Sequence, residues 1–315
     1  MLKPKKLSKG DTIGIVAPAS PSDKPSELPR AKHFIEEMGF RVVIGPHVDL
    51  RKGFVAASEE ERAADINAMF ADPSIDAVCC SRGGYGSAQI IRHLDFDSIR
   101  RNPKIFTGFS DITSLHLAIN KLAGLVTFHG PGVSRFNPED LTEYTKKQFL
   151  KALSSDEPLG EIPLHDSKKW LHTITEGVAE GELIGGNLTL LCASIGTAYQ
   201  PDVEGKVLLI EDVDAEPWIV DNSMSHLRNA GILDTVAAVV IGECKDCVPN
   251  DYKPGFLSDV HVEEVFEYYL KPLGVPVMYG LPLGHTDDMA TLPLGVKVRL
   301  DTIRKQFIVL ESGVV

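Results

Sequence analysis

The sequence predicts an α/β protein, with an N-terminal doubly wound parallel sheet and a C-terminal domain of mixed, β-rich α/β structure. Three observations carry that expectation. Short, wholly apolar runs alternate with helix-period segments through the first half, as strands buried on both faces of a parallel sheet require. The run "AVCC" empties into the glycine loop "SRGGYG", in the manner of strand ends that face a ligand in such folds. Past residue 177 the apolar runs crowd together, and the tail alternates with period two. At 315 residues, with 43% hydrophobic and 24% charged, the chain is long enough for two domains with real cores.

In order, "TIGIVAPAS" (12–20) is a strand and "ELPRAKHFIEEMG" (27–39) a helix stopped by Gly39. "RVVIGP" (41–46) is the next strand. "SEEERAADINAMFAD" (58–72) opens with Ser58 and Glu61 at capping-box spacing and carries Ala63, Ile66 and Phe70 on one helical face. Residues 75–86 read as a strand into the glycine loop, and 87–94 as a helix. "KIFTGF" is again a strand, after which Ile112, Leu115, Ile119 and Leu122 recur at helical spacing. The polar, proline-bearing stretch around 153–169 marks a change of composition. The expected organisation is therefore a domain over 1–155, a linker over 156–175 and a domain over 176–315. The second domain should hold strands near 206–211, 236–242 and 275–279, helices near 217–230 and 261–270, and a hairpin over 296–312.

Composition excludes several classes of function. The net charge is −12 and the basic residues are scattered, so no stripe exists to follow a phosphate backbone and nucleic acid is not an expected partner. The basic N-terminus leads into an apolar run broken by Gly14 and Pro18, which reads as a strand and not a leader. No stretch approaches the roughly 20 apolar residues of a membrane helix, and a cytoplasmic location is the simplest expectation. Five cysteines suit reduced thiols. Cys244 and Cys247 form a CxxC without the second ligand pair of a structural zinc site, and read as loop thiols after a strand. "SRGGYGS" lacks both the Lys-Ser/Thr of a P-loop and the spacing of dinucleotide loops, and neither a cofactor nor a metal is expected.

Ser110, in "GFSDIT", stands where an apolar run gives way to helical spacing. Such a serine either caps the helix through its side-chain oxygen or attacks a substrate from a tight strand-to-helix turn. In the second case the Asp111 N–H, at the helix start, would face an oxyanion. The G-x-S-x-G pattern is half matched, because Ile112 replaces its second glycine. The "RGGYG" loop should lie alongside, offering backbone N–H groups to negative charge. A nucleophilic serine needs a base. His285 in "GLPLGH" and His129 in "VTFHGPG" both sit where strands end, whereas His116 falls within a helical pattern. For the acid that orients the imidazole, Glu211 ends the run "KVLLI", with Asp212, Asp214 and Glu216 as competitors.

"IGIVAPAS", "SRGGYGS", "GFSDIT", "GELIGGNLTLL", "LLIEDVDAEPW" and "GLPLGH" occur in the order seen in the LD-carboxypeptidase family, the muramoyltetrapeptide carboxypeptidases and related microcin C self-immunity proteins, which the chain resembles from about residue 10 to 310. The resemblance implies a serine peptidase without metal or cofactor. Ser110 would be its nucleophile, Glu211 the orienting acid and His285 the base, with the backbone amide of Asp111 and one from the "RGGYG" loop, assigned to Gly84 with Gly83 as the alternative, as the oxyanion hole. Gly83, Tyr85 and Trp170 are its substrate-binding candidates. The nucleophile falls in the first domain and its partners in the second, which places the expected active site in a cleft between them. The implied substrate is a small muropeptide, a cell-wall tetrapeptide that loses its terminal D-alanine during murein recycling. Two alternatives are a microcin-immunity hydrolase of aminoacyl-nucleotides, with Trp170 stacking on the base, and a non-catalytic muropeptide-binding protein. A metallopeptidase would need a ligand cluster such as HExxH, which the sequence lacks. Relatives of this kind are often dimers, and a homodimer is carried as an expectation although no segment marks an interface.

Overall fold

The computed structural model describes residues 1–164, 171–250, 252 and 255–315. The chain divides into two units: Met1–Pro158 with Met289–Gly295 and Ser312–Val315, and Leu159–Asp288 with Val296–Glu311.

The first unit is built on a six-stranded sheet. Its strands are β1 (Thr12–Val16), β2 (Arg41–Ile44), β3 (Ala77–Cys80), β4 (Ile105–Gly108), β5 (Thr127–His129) and β12 (Leu292–Leu294). The spatial order is β12-β5-β4-β3-β1-β2. The first five strands are mutually parallel, and β12 closes the sheet antiparallel to β5. Every residue of β1, β3 and β4 is buried, as the apolar runs demand, whereas β2 at the edge alternates between half-buried and exposed. Helices α1 (Glu27–Glu37), α2 (Glu59–Ala71), α3 (Phe96–Arg101), α4 (Thr113–Ala118) and α5 (Glu143–Ser154) belong to this unit. The capping box at the head of α2 is complete: Ser58 Oγ accepts the Glu61 N–H, and the Ser58 N–H donates to Glu61 Oε2 at 2.9 Å. Ala63, Ile66 and Phe70 form its buried face, as expected. The segment 87–94 differs: it is a 3₁₀ turn over Ser87–His93 in place of an α-helix.

The second unit holds an eight-stranded sheet of β6 (Gly160–Glu161), β7 (His172–Thr175), β8 (Val178–Asn187), β9 (Val207–Glu211), β10 (Ala238–Gly242), β11 (Val277–Leu281), β13 (Lys297–Asp301) and β14 (Gln306–Val309), in the order β6-β14-β13-β8-β9-β10-β11-β7. Four central strands, β8 to β11, are parallel, and antiparallel strands flank them on both sides. Helices α6 (Leu188–Ser194), α7 (Pro217–Asn229) and α8 (Val262–Leu270) complete it. Gly185 at φ 130° lets β8 press against β9, since a Cβ there would collide with the Leu209 carbonyl oxygen; only glycine tolerates both the dihedral and the approach.

Two features depart from the sequence-based layout of 1–155, 156–175 and 176–315. The stretch 156–175 supplies β6 and β7, the outermost strands of the second sheet, because their short polar segments need only one hydrogen-bonded neighbour. Residues 289–295 and 312–315 join the first unit, because β12 pairs with β5 and the Val315 N–H donates to the Pro4 carbonyl. The 296–312 hairpin exists as β13 and β14, and β13 also pairs with β8.

Candidate active site

In the first unit the carboxyl ends of β1, β3 and β4 meet around Ser110. β4 ends at Gly108, the chain turns, and a 3₁₀ turn over Ser110–Ile112 passes into α4. Ser110 has φ 63°. L-residues other than glycine adopt that left-handed conformation at a cost of about 1–3 kcal/mol, and it clusters at functional turns. The cap position belongs to Phe109, and no side-chain cap bond is made there. The cap reading of Ser110 therefore gives way to a strained elbow. Gly108 explains the half-matched motif: a Cβ there would lie 2.9 Å from Ile112 Cγ2, so the fully buried Ile112 fills the space over the glycine.

The glycine loop lies against this elbow. A Cβ on Gly83 would stand 2.8 Å from Ser110 Cβ and 3.1 Å from the Asp111 amide nitrogen, so only glycine permits the approach. Gly84, at φ 101°, is held against Ser20, whose Oγ accepts the Tyr85 N–H at 3.1 Å, while the Ser20 N–H donates to the Gly83 carbonyl. Ser110 and Asp111 stand in the first helical turn, where N–H groups have no intrahelical acceptor and the dipole favours an anion. The Tyr85 ring is half-exposed and packs edge-to-face on Phe54, with centroids 5.1 Å apart. Ser110, Asp111, Gly83, Gly84 and Tyr85 are thus brought together. Trp170 lies outside the described residues.

In the second unit Glu211 and His285 form a pair. Glu211, fully buried at the end of β9, accepts from His285 Nδ1 at 2.7 Å. A carboxylate only accepts, so the bond fixes the proton on Nδ1 and leaves the basic lone pair on Nε2, the tautomer a general base requires. The glutamate is walled by backbone. A Cβ on Gly284, at φ 82°, would collide with Glu211 Oε2, and one on Gly242 would stand 3.0 Å from Glu211 Cβ. Its competitors have other work. Asp212 accepts from Asn187 Nδ2, Thr189 and the Val213 N–H, and burial raises its pKa. Glu216 accepts the Asn250 and Gly255 N–H groups, which lower its pKa with Gly255 leading. Asp214 is exposed, and its N–H donates to the Lys245 carbonyl.

The rival histidines fall into the first unit's interior. His129 is fully buried on β5, with its ring against Phe109 and His116. His116, also fully buried, donates from Nε2 to the Gly108 carbonyl at 2.9 Å, beneath the elbow. Four other described histidines pair with carboxylates, His47 with Asp65, His172 with Glu267, His33 with Glu37 and His93 with Glu59. What sets Glu211–His285 apart is a wholly buried carboxylate at the carboxyl end of a strand, whereas Asp65, 3% exposed and packed against Gly45, sits within α2.

Residues 13–130 match the family model of the LD-carboxypeptidase N-terminal domain, and residues 180–300 that of the LD-carboxypeptidase C-terminal domain. The chain belongs to the LD-carboxypeptidase family. Among curated relatives, a probable murein peptide carboxypeptidase of Bacillus subtilis (strain 168) is 39% identical over 313 residues, covering 99% of this chain and 95% of the relative. A muramoyltetrapeptide carboxypeptidase structure from Oxalobacter formigenes superposes with TM-score 0.81 at 31% identity, over 94% of this chain and 97% of that one. The microcin C7 self immunity protein MccF, in complex with aspartyl sulfamoyl adenosine, superposes with TM-score 0.91 at 27% identity over the whole of both chains.

Within this LD-carboxypeptidase fold, three residues around Ser110 escape sequence reading. Ser20 holds Gly84 and Tyr85, Ser87 is hydrogen-bonded to Asp111, and Arg62 is buried in α2 with its guanidinium on the Ala57, Pro18 and Gly86 carbonyls and Gln89 Oε1. Ser20 and Ser87 are the last residues of the quoted motifs "IGIVAPAS" and "SRGGYGS" and are findable there. Arg62 gives no signal, since an arginine in a charged helix start reads as solvated.

Proposed function

We propose that the protein is a serine LD-carboxypeptidase that removes the terminal D-alanine from murein tetrapeptides, in cytoplasmic murein recycling. The observation that carries the reading is Ser110 at φ 63° on a strand-to-helix turn, with the glycine loop packed on it. In the proposed mechanism His285 Nε2 takes the Ser110 proton as Oγ attacks the carbonyl, Glu211 stabilises the imidazolium, and the amides of Asp111 and Gly84 hold the oxyanion. The imidazolium then protonates the departing amine of D-alanine. Water, deprotonated by the same imidazole, releases the tripeptide. No metal or cofactor enters these steps.

The reading over a microcin-immunity hydrolase rests on the 39% identity with the murein peptide carboxypeptidase, whereas the MccF likeness supports the second reading through fold at 27% identity. Mass spectrometry of products from a defined L,D-tetrapeptide and from an aspartyl sulfamoyl adenosine separates them. Release of D-alanine is expected, with Ser110→Ala falling by at least about 10⁴-fold. Turnover of the nucleotide alone would overturn the choice of substrate.

A further inference from the structure

Asp111 makes two contacts that the mechanism above does not use. Its carboxylate, 4% exposed, accepts the Ser87 N–H at 2.7 Å, and its carbonyl accepts the Ser87 hydroxyl at 2.5 Å. Ser87 is itself fully buried and is the first residue after the glycine loop. The two bonds therefore clasp the downstream end of that loop to the elbow's first helical turn. The same end is gripped from the other side: Arg62 Nη1 donates to the Gly86 carbonyl at 2.8 Å and to the Pro18 carbonyl, and Nη2 donates to Gln89 Oε1 at 2.7 Å. Arg62 is 1% exposed; burial lowers its pKa, and the Glu59 and Asp111 carboxylates oppose that loss of charge.

A buried carboxylate is costly unless its hydrogen bonds and a nearby cation offset desolvation, and Asp111 has both. What the arrangement holds is the spacing between two short backbone segments, the amide of Asp111 and the glycine loop that runs into Ser87. We propose that the Asp111 side chain is a positioning residue: through Ser87 it fixes the separation of the two oxyanion amides, and so the stabilisation of the developing charge. The inference rests on the acyl-transfer reading of Ser110. It adds to that reading a role for the side chain of a residue so far used only through its backbone. A misplacement of about 1 Å costs about 10²-fold in rate, which sets the scale of the expected effect.

The test uses the full chain and a fluorophosphonate, which phosphonylates an activated serine and needs no knowledge of the natural substrate. Wild type should be labelled at Ser110 and Ser110→Ala should not; equal labelling of Ser110→Ala would overturn the serine reading itself. Given that control, Asp111→Ala should be labelled about 10²-fold more slowly, while Asp111→Asn, which keeps an acceptor for the Ser87 N–H, should recover most of the rate. On the tetrapeptide the loss should fall on kcat and leave KM in place. A role confined to stability would lower the melting temperature without slowing the folded enzyme. Wild-type labelling of folded Asp111→Ala, or a loss that Asp111→Asn does not rescue, would overturn the proposal. Should Asp111→Ala fail to fold, Asp111→Glu decides: it shifts by one methylene the carboxylate that accepts the Ser87 N–H and should slow labelling about tenfold, and an unchanged rate would overturn the proposal.

Discussion

Beneath the elbow, His116 couples the stability of the first unit to pH. Burial pushes its pKa down to about 3 from the usual 6.5, so the folded protein keeps the ring neutral where the unfolded chain protonates it. The stabilisation is whole above pH 6.5 and is lost as pH falls toward 3. Between those limits the loss runs at about 1.4 kcal/mol per pH unit. His116→Gln removes the titration while keeping a donor for the Gly108 carbonyl. Between pH 7 and 5 the wild type should lose about 2 kcal/mol more than the variant in urea unfolding; parallel losses would assign the acid sensitivity elsewhere. At this scale the strand-end settings of Ser110, Glu211 and His285 were legible in the residues, but the preference for His285 over His129 and for Glu211 over its acidic neighbours came from the family resemblance. The left-handed φ of Ser110 was not legible, since backbone dihedrals at a turn are set by the packing of Gly83 and Ile112 around it. For the same reason Arg62 passed unnoticed: its burial is decided by the Pro18 and Gly86 carbonyls, both remote in the chain.

Among elements, α2 shows the best agreement of local code and structure, and its head can be tested directly. Ser58→Ala removes the oxygen that accepts the Glu61 N–H. It should cost about 1 kcal/mol, read as a shift in the urea midpoint without a change in slope. Since Arg62 hangs from the first turn of this helix and reaches the Gly86 carbonyl, fraying there should also reach the glycine loop. Long periodic segments such as α2, α7 and α8 were readable because burial repeats every turn. Short strands were not. β12 is three residues, Leu292–Leu294, flanked by turns, and its partner β5 is remote in sequence, so nothing local announces the pairing. The 3₁₀ turn over Ser87–His93 escaped for a related reason: Ile90 and Ile91 have apolar spacing that an α-helix would also show, and the Asp111 clasp at Ser87 governs how the turn begins.

For the whole molecule, the interleaving of the units is the feature the sequence hid most completely. Met289, Ala290, Leu292 and Leu294 are all fully buried, and a Cβ on Gly313 would meet Phe128 at 2.7 Å, so the first unit takes part of its core from the end of the chain. A fragment of residues 1–158 leaves the edge of β5 unpaired and that core open. It should bind a hydrophobic dye and melt without a cooperative transition; a sharp melt at the full chain's temperature would show that the tail segments are dispensable. The same feature sets a clock on synthesis. Between Pro158 and Met289 the ribosome must make the whole of Leu159–Asp288. At about 10 residues per second, that takes on the order of 10 s. Through that interval the nascent N-terminal sheet waits without its sixth strand, and the first unit to be made is the last to be finished.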